Sequence, residues 1–367
     1  MLGQQYFTNE KYIPSLKEHF VVLTIDLDQS PGSQLADQYR MRWFPSTLIL
    51  KPDGTVYDIL RGYEGNADRY HARVQAALTG GASYAEIRGA AAARPDDLQR
   101  QFDLAWKYLD MIYLDEAEAR LHALSTLVDT AGDATVTLDE RAFPLPEAVS
   151  YARGVLTYRG GRNPEGLLAF IAAFPQSALR NRADTDLANA FTRRMRHQQA
   201  ESFFRELINR YPDDTQMHFS TVRYAVGTGK LLDQAEPLLL GLLSSHAERE
   251  DVKKMGADFF IKKDNLPRAL DCFGPAVAEK QWDNAAALNS YAWFWAERGL
   301  NLDSAERAAK RSLELASLHH VWDTLSMVYW KKKAFQKAID AEEQAVKLSD
   351  QPAYREQIKK IRADMSR

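Results

Sequence analysis

Residues 181–214 read NRADTDLANAFTRRMRHQQAESFFRELINRYPDD, and the spacing of their apolar positions decides the fold. Leu187, Ala188 and Phe191 fall on one face of a first helix, and Ala200, Phe204 and Leu207 on one face of a second. Tyr211-Pro212-Asp213-Asp214 then stops the chain. Small residues where two helices would touch, with a Pro-Asp stop, make the unit of a helix-pair repeat of about 34 residues. Near the C-terminus the spacing returns in Trp322, Leu325, Ser326 and Tyr329, followed by Ala338, Ala345 and Leu348.

Working outward, Leu104, Ala105 and Tyr108 pair with Ala117, Leu121 and Leu124; Gly256, Ala257 and Phe260 with Ala269, Phe273 and Ala276; and Tyr291, Ala292 and Trp295 with Ala305, Ala309 and Leu313. Two stretches fit less well: 215–245, with Val222, Ala225, Ala235 and Leu239, and 144–178, where Gly166 stands at the usual alanine. Asp129 to Pro146 reads as an irregular connection, and Pro352 to Arg367 as a capping helix with Tyr354, Ile358 and Ile361 on one face. No such pair can cover its own apolar face, so stacking of neighbours builds one continuous core. These units closely resemble tetratricopeptide repeats. The resemblance implies an all-α solenoid over 96–367, a groove that takes a protein or peptide partner, and a scaffold or adaptor role.

Before residue 80 the pattern is mixed. Phe20-Val21-Val22-Leu23-Thr24-Ile25-Asp26 is apolar and β-branched, as in a strand buried on both faces. Leu35, Ala36 and Tyr39 have helical spacing, Ser46 to Leu50 reads as a second strand, and Pro52-Asp53-Gly54 turns it into Thr55 to Leu60 before a helix from Ala67 to Leu78. From Tyr6 to Leu78 these elements, with Trp43-Phe44-Pro45-Ser46-Thr47, Lys51-Pro52-Asp53-Gly54 and Arg61-Gly62-Tyr63, resemble a thioredoxin fold entered part-way through. The resemblance implies an α/β partial thioredoxin-like domain at 1–80, joined by a linker at 81–95 to the repeats. It places Phe44 and Pro45 in a cis-proline loop that presents backbone groups to an extended substrate. The opening strands and the Cys-x-x-Cys segment of that family would precede Met1. The module is therefore expected to be redox-inactive, and the alternative is a thiol-disulfide oxidoreductase whose cysteine pair lies upstream.

Composition narrows the function classes. With 47 Lys+Arg against 50 Asp+Glu the formal charge is −3, which points to no polyanionic partner and hence no nucleic acid. Hydrophobic residues at 45% and charged residues at 26% are ordinary globular usage. The longest apolar cluster, about Ala235 to Leu243, falls short of a membrane span, and Met1 to Phe20 lacks the apolar core of a secretory leader. The expectation is a soluble protein, cytoplasmic as the chain stands and periplasmic if a leader lies upstream.

Cys272 is the only cysteine, so neither a disulfide nor a CxxC pair can form within this sequence. Its place beside Phe273 reads as a small buried hydrophobe, not as a nucleophile. His319 and His320 are adjacent, and neighbouring helical side chains diverge by about 100°, against shared metal ligation. No HExxH, GxSxG, Walker or GxGxxG pattern occurs, and no catalytic residue, cofactor or metal is expected. Arg180, Arg182, Arg193, Arg194 and Arg196 form a basic cluster around the clearest repeat, interleaved with Asp184 and Asp186. It reads either as a solvated face or as an anchor for an acidic peptide or terminal carboxylate. Asn189 stands where some tetratricopeptide domains place a clamp residue, although the lysine partner is missing. Phe44, Pro45, Asn189, Arg193 and Arg196 are thus the candidate peptide-binding residues.

Overall fold

The computed structural model describes residues 2–25, 31–41, 44–63, 65–79, 83–128, 131–161, 163–193 and 197–366. The chain forms two compact units, Met1–Arg193 and Arg194–Arg367.

The first unit opens with a π-helical turn at Gly3–Phe7, then α1 (Ile13–His19), α2 (Gly32–Gln38), β1 (Ser46–Leu50), β2 (Val56–Arg61) and α3 (Ala67–Thr79). β1 and β2 are antiparallel, with Ser46 opposite Arg61 and Leu48 opposite Ile59. Gly54 reverses the chain at φ +81°, and Asp53 accepts from the Thr55 amide at 2.9 Å. Tyr6, Leu16, Ile49, Leu60, Tyr70 and Val74 close a small core over this hairpin.

The expected strand at Phe20 to Asp26 does not form over its described part, 20–25. That segment joins no ladder among the described residues; Val21 is 91% exposed and Leu23 76%. β-branched residues favour extended backbone, but a strand needs a neighbour to satisfy its amides. Among the described residues β1 pairs with β2 alone, so the larger α/β sheet is absent and the architecture is mainly helical.

The unit continues through α4 (Tyr84–Ala93), α5 (Leu98–Met111), α6 (Leu114–Leu127), β3 (Thr135–Leu138), β4 (Arg141–Pro144), α7 (Leu145–Gly161), α8 (Glu165–Ala173) and α9 (Arg180–Arg193). α4 falls inside the expected linker. Ser83 and Glu86 give it a reciprocal capping box, and it packs on β2 and α5. Part of the expected irregular connection is a hairpin, β3–β4, turning on Asp139 and Glu140 at φ +48° and +63°. The period-2 signal was present: Val136 and Leu138 are buried while Thr135 and Thr137 are exposed. The poorly fitting stretch around Gly166 packs unusually closely. A Cβ on Gly154 would lie 3.0 Å from the Leu167 amide nitrogen, and one on Gly166 would lie 2.4 Å from Thr157 Oγ1. Glycine stands at the alanine position because two helix backbones meet there.

The second unit holds α10 (Ala200–Arg210), α11 (Thr215–Thr228), α12 (Leu232–Ser245), α13 (Glu250–Lys262), α14 (Leu266–Phe273), α15 (Pro275–Glu279), α16 (Ala285–Arg298), α17 (Leu302–Leu315), α18 (His319–Lys331), α19 (Phe335–Leu348) and α20 (Pro352–Met365). α11 packs on α12 and α13, α16 on α17 and α18, and α18 on α19. α11 and α16 thus each touch both their own partner and the next first helix, the nearest-neighbour pattern of a helix-pair array. Ala225, Ala235, Ala257, Ala269, Ala292 and Ala305 are buried at these crossings, and Trp295 donates its indole N–H to the Phe273 carbonyl at 2.8 Å. In the turn after α18, Lys332 bridges Asp303 and Glu306 at 2.7 and 2.6 Å. α20 seals α19 with Tyr354 and Ile361.

Candidate functional site

The site starts from β2. Asp58 lies in the otherwise apolar run Val56 to Leu60 and is 1% exposed, so its carboxylate has to be paired. α5 supplies the counter-ion: Lys107 Nζ reaches Asp58 Oδ1 at 2.8 Å, and the Ile59 amide donates to the same carboxylate at 2.8 Å. Three residues on, at the end of the strand, stands Arg61. Next to it Gly62 adopts φ +69°, a left-handed turn open to glycine, and its amide donates to the Pro45 carbonyl at 2.9 Å. That bond fastens the Phe44–Pro45 loop, whose peptide bond is cis, to the end of β2.

These elements wall a cavity of about 600 Å³ within the first unit. Phe44 and Pro45 form one side; Ile59, Leu60, Ala76 and Ala77 supply apolar wall; α5 and α7 contribute Lys107, Asp110 and Arg159. Phe44 is 55% exposed, so it is not the core aromatic that an apolar ring would ordinarily be. The cavity carries four cations, Arg61, Arg73, Lys107 and Arg159, against two carboxylates, Asp58 and Asp110. Lys107 is taken by Asp58, and Arg159 by Asp110 at 2.9 Å. Arg73 donates to the Arg61 carbonyl at 2.9 Å. The Nε and Nη1 atoms of Arg61 are buried and have no acceptor among the described residues. Burial lowers the Arg61 pKa to about 10, with the positive charge of Arg159 adding to the effect.

The other candidates do not join this cavity. Asn189 is half-buried on α9, where its carbonyl accepts from Thr192 Oγ1 at 3.0 Å, and Arg193 is exposed at the helix end. Arg194, Arg196 and Trp43 lie outside the described residues. The basic cluster is broken up by local pairing: Arg180 holds the fully buried Asp184 at 3.0 Å, while Arg182 pairs with Asp139 and lies over the Trp106 ring. Cys272 packs where a Cβ on Gly256 would fall, and burial pushes its thiol up to about 11. His319 Nδ1 meets the Tyr354 hydroxyl at 2.6 Å, and no cluster able to hold a metal occurs among the described residues.

Sequence reasoning missed Asp58, Arg61 and Lys107. The acid inside an apolar strand was the one legible signal; its counter-ion lies 49 residues away on a helix.

No protein-family model matches the chain, and no curated protein does. The solved structures that match include proteins described as tetratricopeptide repeat proteins. One from Parabacteroides merdae is 13% identical over 72% of this chain and 98% of its own, with a TM-score of 0.47. A thermophilic one from Thermus thermophilus is 15% identical over 50% of this chain and 98% of its own, TM-score 0.34. YrrB, described as having an unusual peptide-binding site, is 16% identical over 53% and 97%, TM-score 0.33. These likenesses are distant. The helical-repeat architecture is tetratricopeptide-like on the packing of this chain's own pairs. No helix among the described residues is long and apolar enough to cross a membrane.

Proposed function

We propose that this is a non-catalytic binding protein in which tetratricopeptide-like repeats, 96–367, act as the scaffold. In this reading the N-terminal part, 1–80, is a redox-inactive module of thioredoxin type that captures an extended peptide, with 81–95 as its connection to the repeats. The observation that carries it is the cavity beside Phe44–Pro45, with an exposed aromatic ring on its wall and apolar surface within. β1 supports the same reading. One of its edges has no partner strand among the described residues, and an extended chain adds to such an edge through backbone hydrogen bonds. Thiol exchange finds no support within this sequence, since its one cysteine is a half-buried thiol with its proton held tightly. In the same proposal the repeats offer a second contact surface for the partner, with Asn189 and Arg193 as its candidate contacts in the first unit.

Selection of linear peptides from a displayed random library on the full chain tests the proposal. Binders should weaken at least tenfold on Phe44→Ala, with the melting temperature unchanged because the ring is exposed. Failure to enrich any peptide would count against the whole reading. Binders indifferent to Phe44→Ala but lost on Arg193→Ala would move the contact to the repeats.

A further inference from the structure

The charge arrangement inside the cavity goes further than its shape. Lys107 and Arg159 each have a carboxylate, and Arg73 is directed onto a backbone carbonyl. Of the four, Arg61 alone has guanidinium nitrogens, Nε and Nη1, that are buried and meet no acceptor among the described residues. Arg61 is half-buried, and a partly desolvated cation without a counter-ion is costly to retain, a cost that an ionised acceptor relieves. Asp110, the one carboxylate with an influence on Arg61, is already held by Arg159. Pairing therefore leaves the cavity with an excess of two positive charges, on Arg61 and Arg73, beside apolar wall.

We infer that the cavity is a receptor for an oxyanion, a carboxylate or a phosphate, drawn in by the two uncompensated charges on its lining, Arg61 and Arg73. Charge-assisted bonds of this kind are roughly twice as strong as neutral ones. The inference names the chemistry of the site proposed above, and rests on that reading only for the molecule that carries the anionic group. A chain-terminal or side-chain carboxylate would arrive with a peptide; a phosphate would arrive on a modified residue or a small molecule.

The test is thermal unfolding of the full chain in sodium acetate, sodium phosphate and sodium chloride at matched ionic strength, for wild type, Arg61→Leu and Arg73→Gln. Phosphate stabilises many proteins by exclusion from their surface, so the diagnostic quantity is the response of wild type minus that of each variant. Wild type should gain melting temperature over the chloride reference, and Arg61→Leu should lose that gain while melting no lower in chloride. A gain in acetate alone assigns a carboxylate, and one in phosphate alone a phosphate. Equal responses in wild type and Arg61→Leu would overturn the inference. Should Arg61→Leu fail to fold, Arg73→Gln decides, because Arg73 is exposed and its loss removes charge without opening the core. An unchanged anion response in that variant would also sink it. Peptides that need Phe44 but bind equally as free acid and as amide, with no anion response, would end the oxyanion inference and leave the peptide site standing. An Arg61-dependent anion response with no peptide binder would do the reverse.

Discussion

Glu342→Gln should abolish a pH dependence built into the C-terminal helices. Glu342 on α19 is fully buried, its Oε1 has no donor among the described residues, and Gln357 Nε2 on α20 reaches Oε2 at a long 3.5 Å, while Ser326 and Asp323 also bear on the carboxyl. Asp323 on α18 lies alongside and takes the better bond from Gln357 at 3.0 Å. Burial first, and the negative charge of Asp323 second, raise the Glu342 carboxyl from the ordinary 4.5 to about 7, and burial raises Asp323 as well. The two carboxyl groups thus favour sharing one proton. Because the folded value lies above the unfolded one, the contribution to stability is fully present below about pH 4.5. It is lost as pH rises through about 7. At ~1.36 kcal/mol for each tenfold change in proton affinity, the loss is capped at about 3 kcal/mol. Glutamine keeps the shape and stays neutral, so Glu342→Gln should equal wild type near pH 4.5 and exceed it by about 1–3 kcal/mol at pH 8. Calorimetry should record this as a rise of at least about 2 °C in the melting of the second unit. Parallel pH profiles of wild type and variant between pH 4.5 and 8 would refute the reasoning.

Gly166→Ala should destabilise the first unit by about 1–3 kcal/mol despite alanine's better helix propensity, since the new methyl meets Thr157 Oγ1 and the Gly154 backbone; urea unfolding checks it. Lys107→Met should cost about 3–5 kcal/mol by leaving Asp58 buried without its cation, and Asp58→Asn in the same background should recover part of that. A melting temperature unmoved by Lys107→Met would show that the pair is not what holds α5 to the hairpin. Cys272 should react with a disulfide reagent at pH 8 far more slowly in the native protein than in urea, because burial keeps the thiol protonated up to about 11. Equal rates would contradict the packing against Gly256.

How much of this was legible before folding differs by element. The alanine faces at Ala257 and Ala292, the turn at Pro52-Asp53-Gly54 and the strand Ser46 to Leu50 follow from period and turn chemistry, which act within a few residues. Val21 to Ile25 shows the limit of that locality. Its composition asks for a strand, yet pairing belongs to whatever lies beside it, and the described chain places nothing there. Gly166 fails in the other direction, being read as a weak repeat when its missing side chain admits a close approach of the Gly154 backbone. Of the site, Phe44 and Pro45 stood out on resemblance, whereas the arginines of the 180–196 cluster were nominated on charge alone, which cannot tell a free guanidinium from one committed to a neighbouring acid. Periodicity and composition determined by themselves that the chain is a helix-pair array with one unpaired thiol. Tertiary structure decided which charges remain unbalanced. Asp58 and Lys107, Asp110 and Arg159, and the isolated Arg61 are matched or left over only when β2, α5 and α7 converge on one cavity, because Coulombic pairing depends on distance in space, which sequence order does not contain.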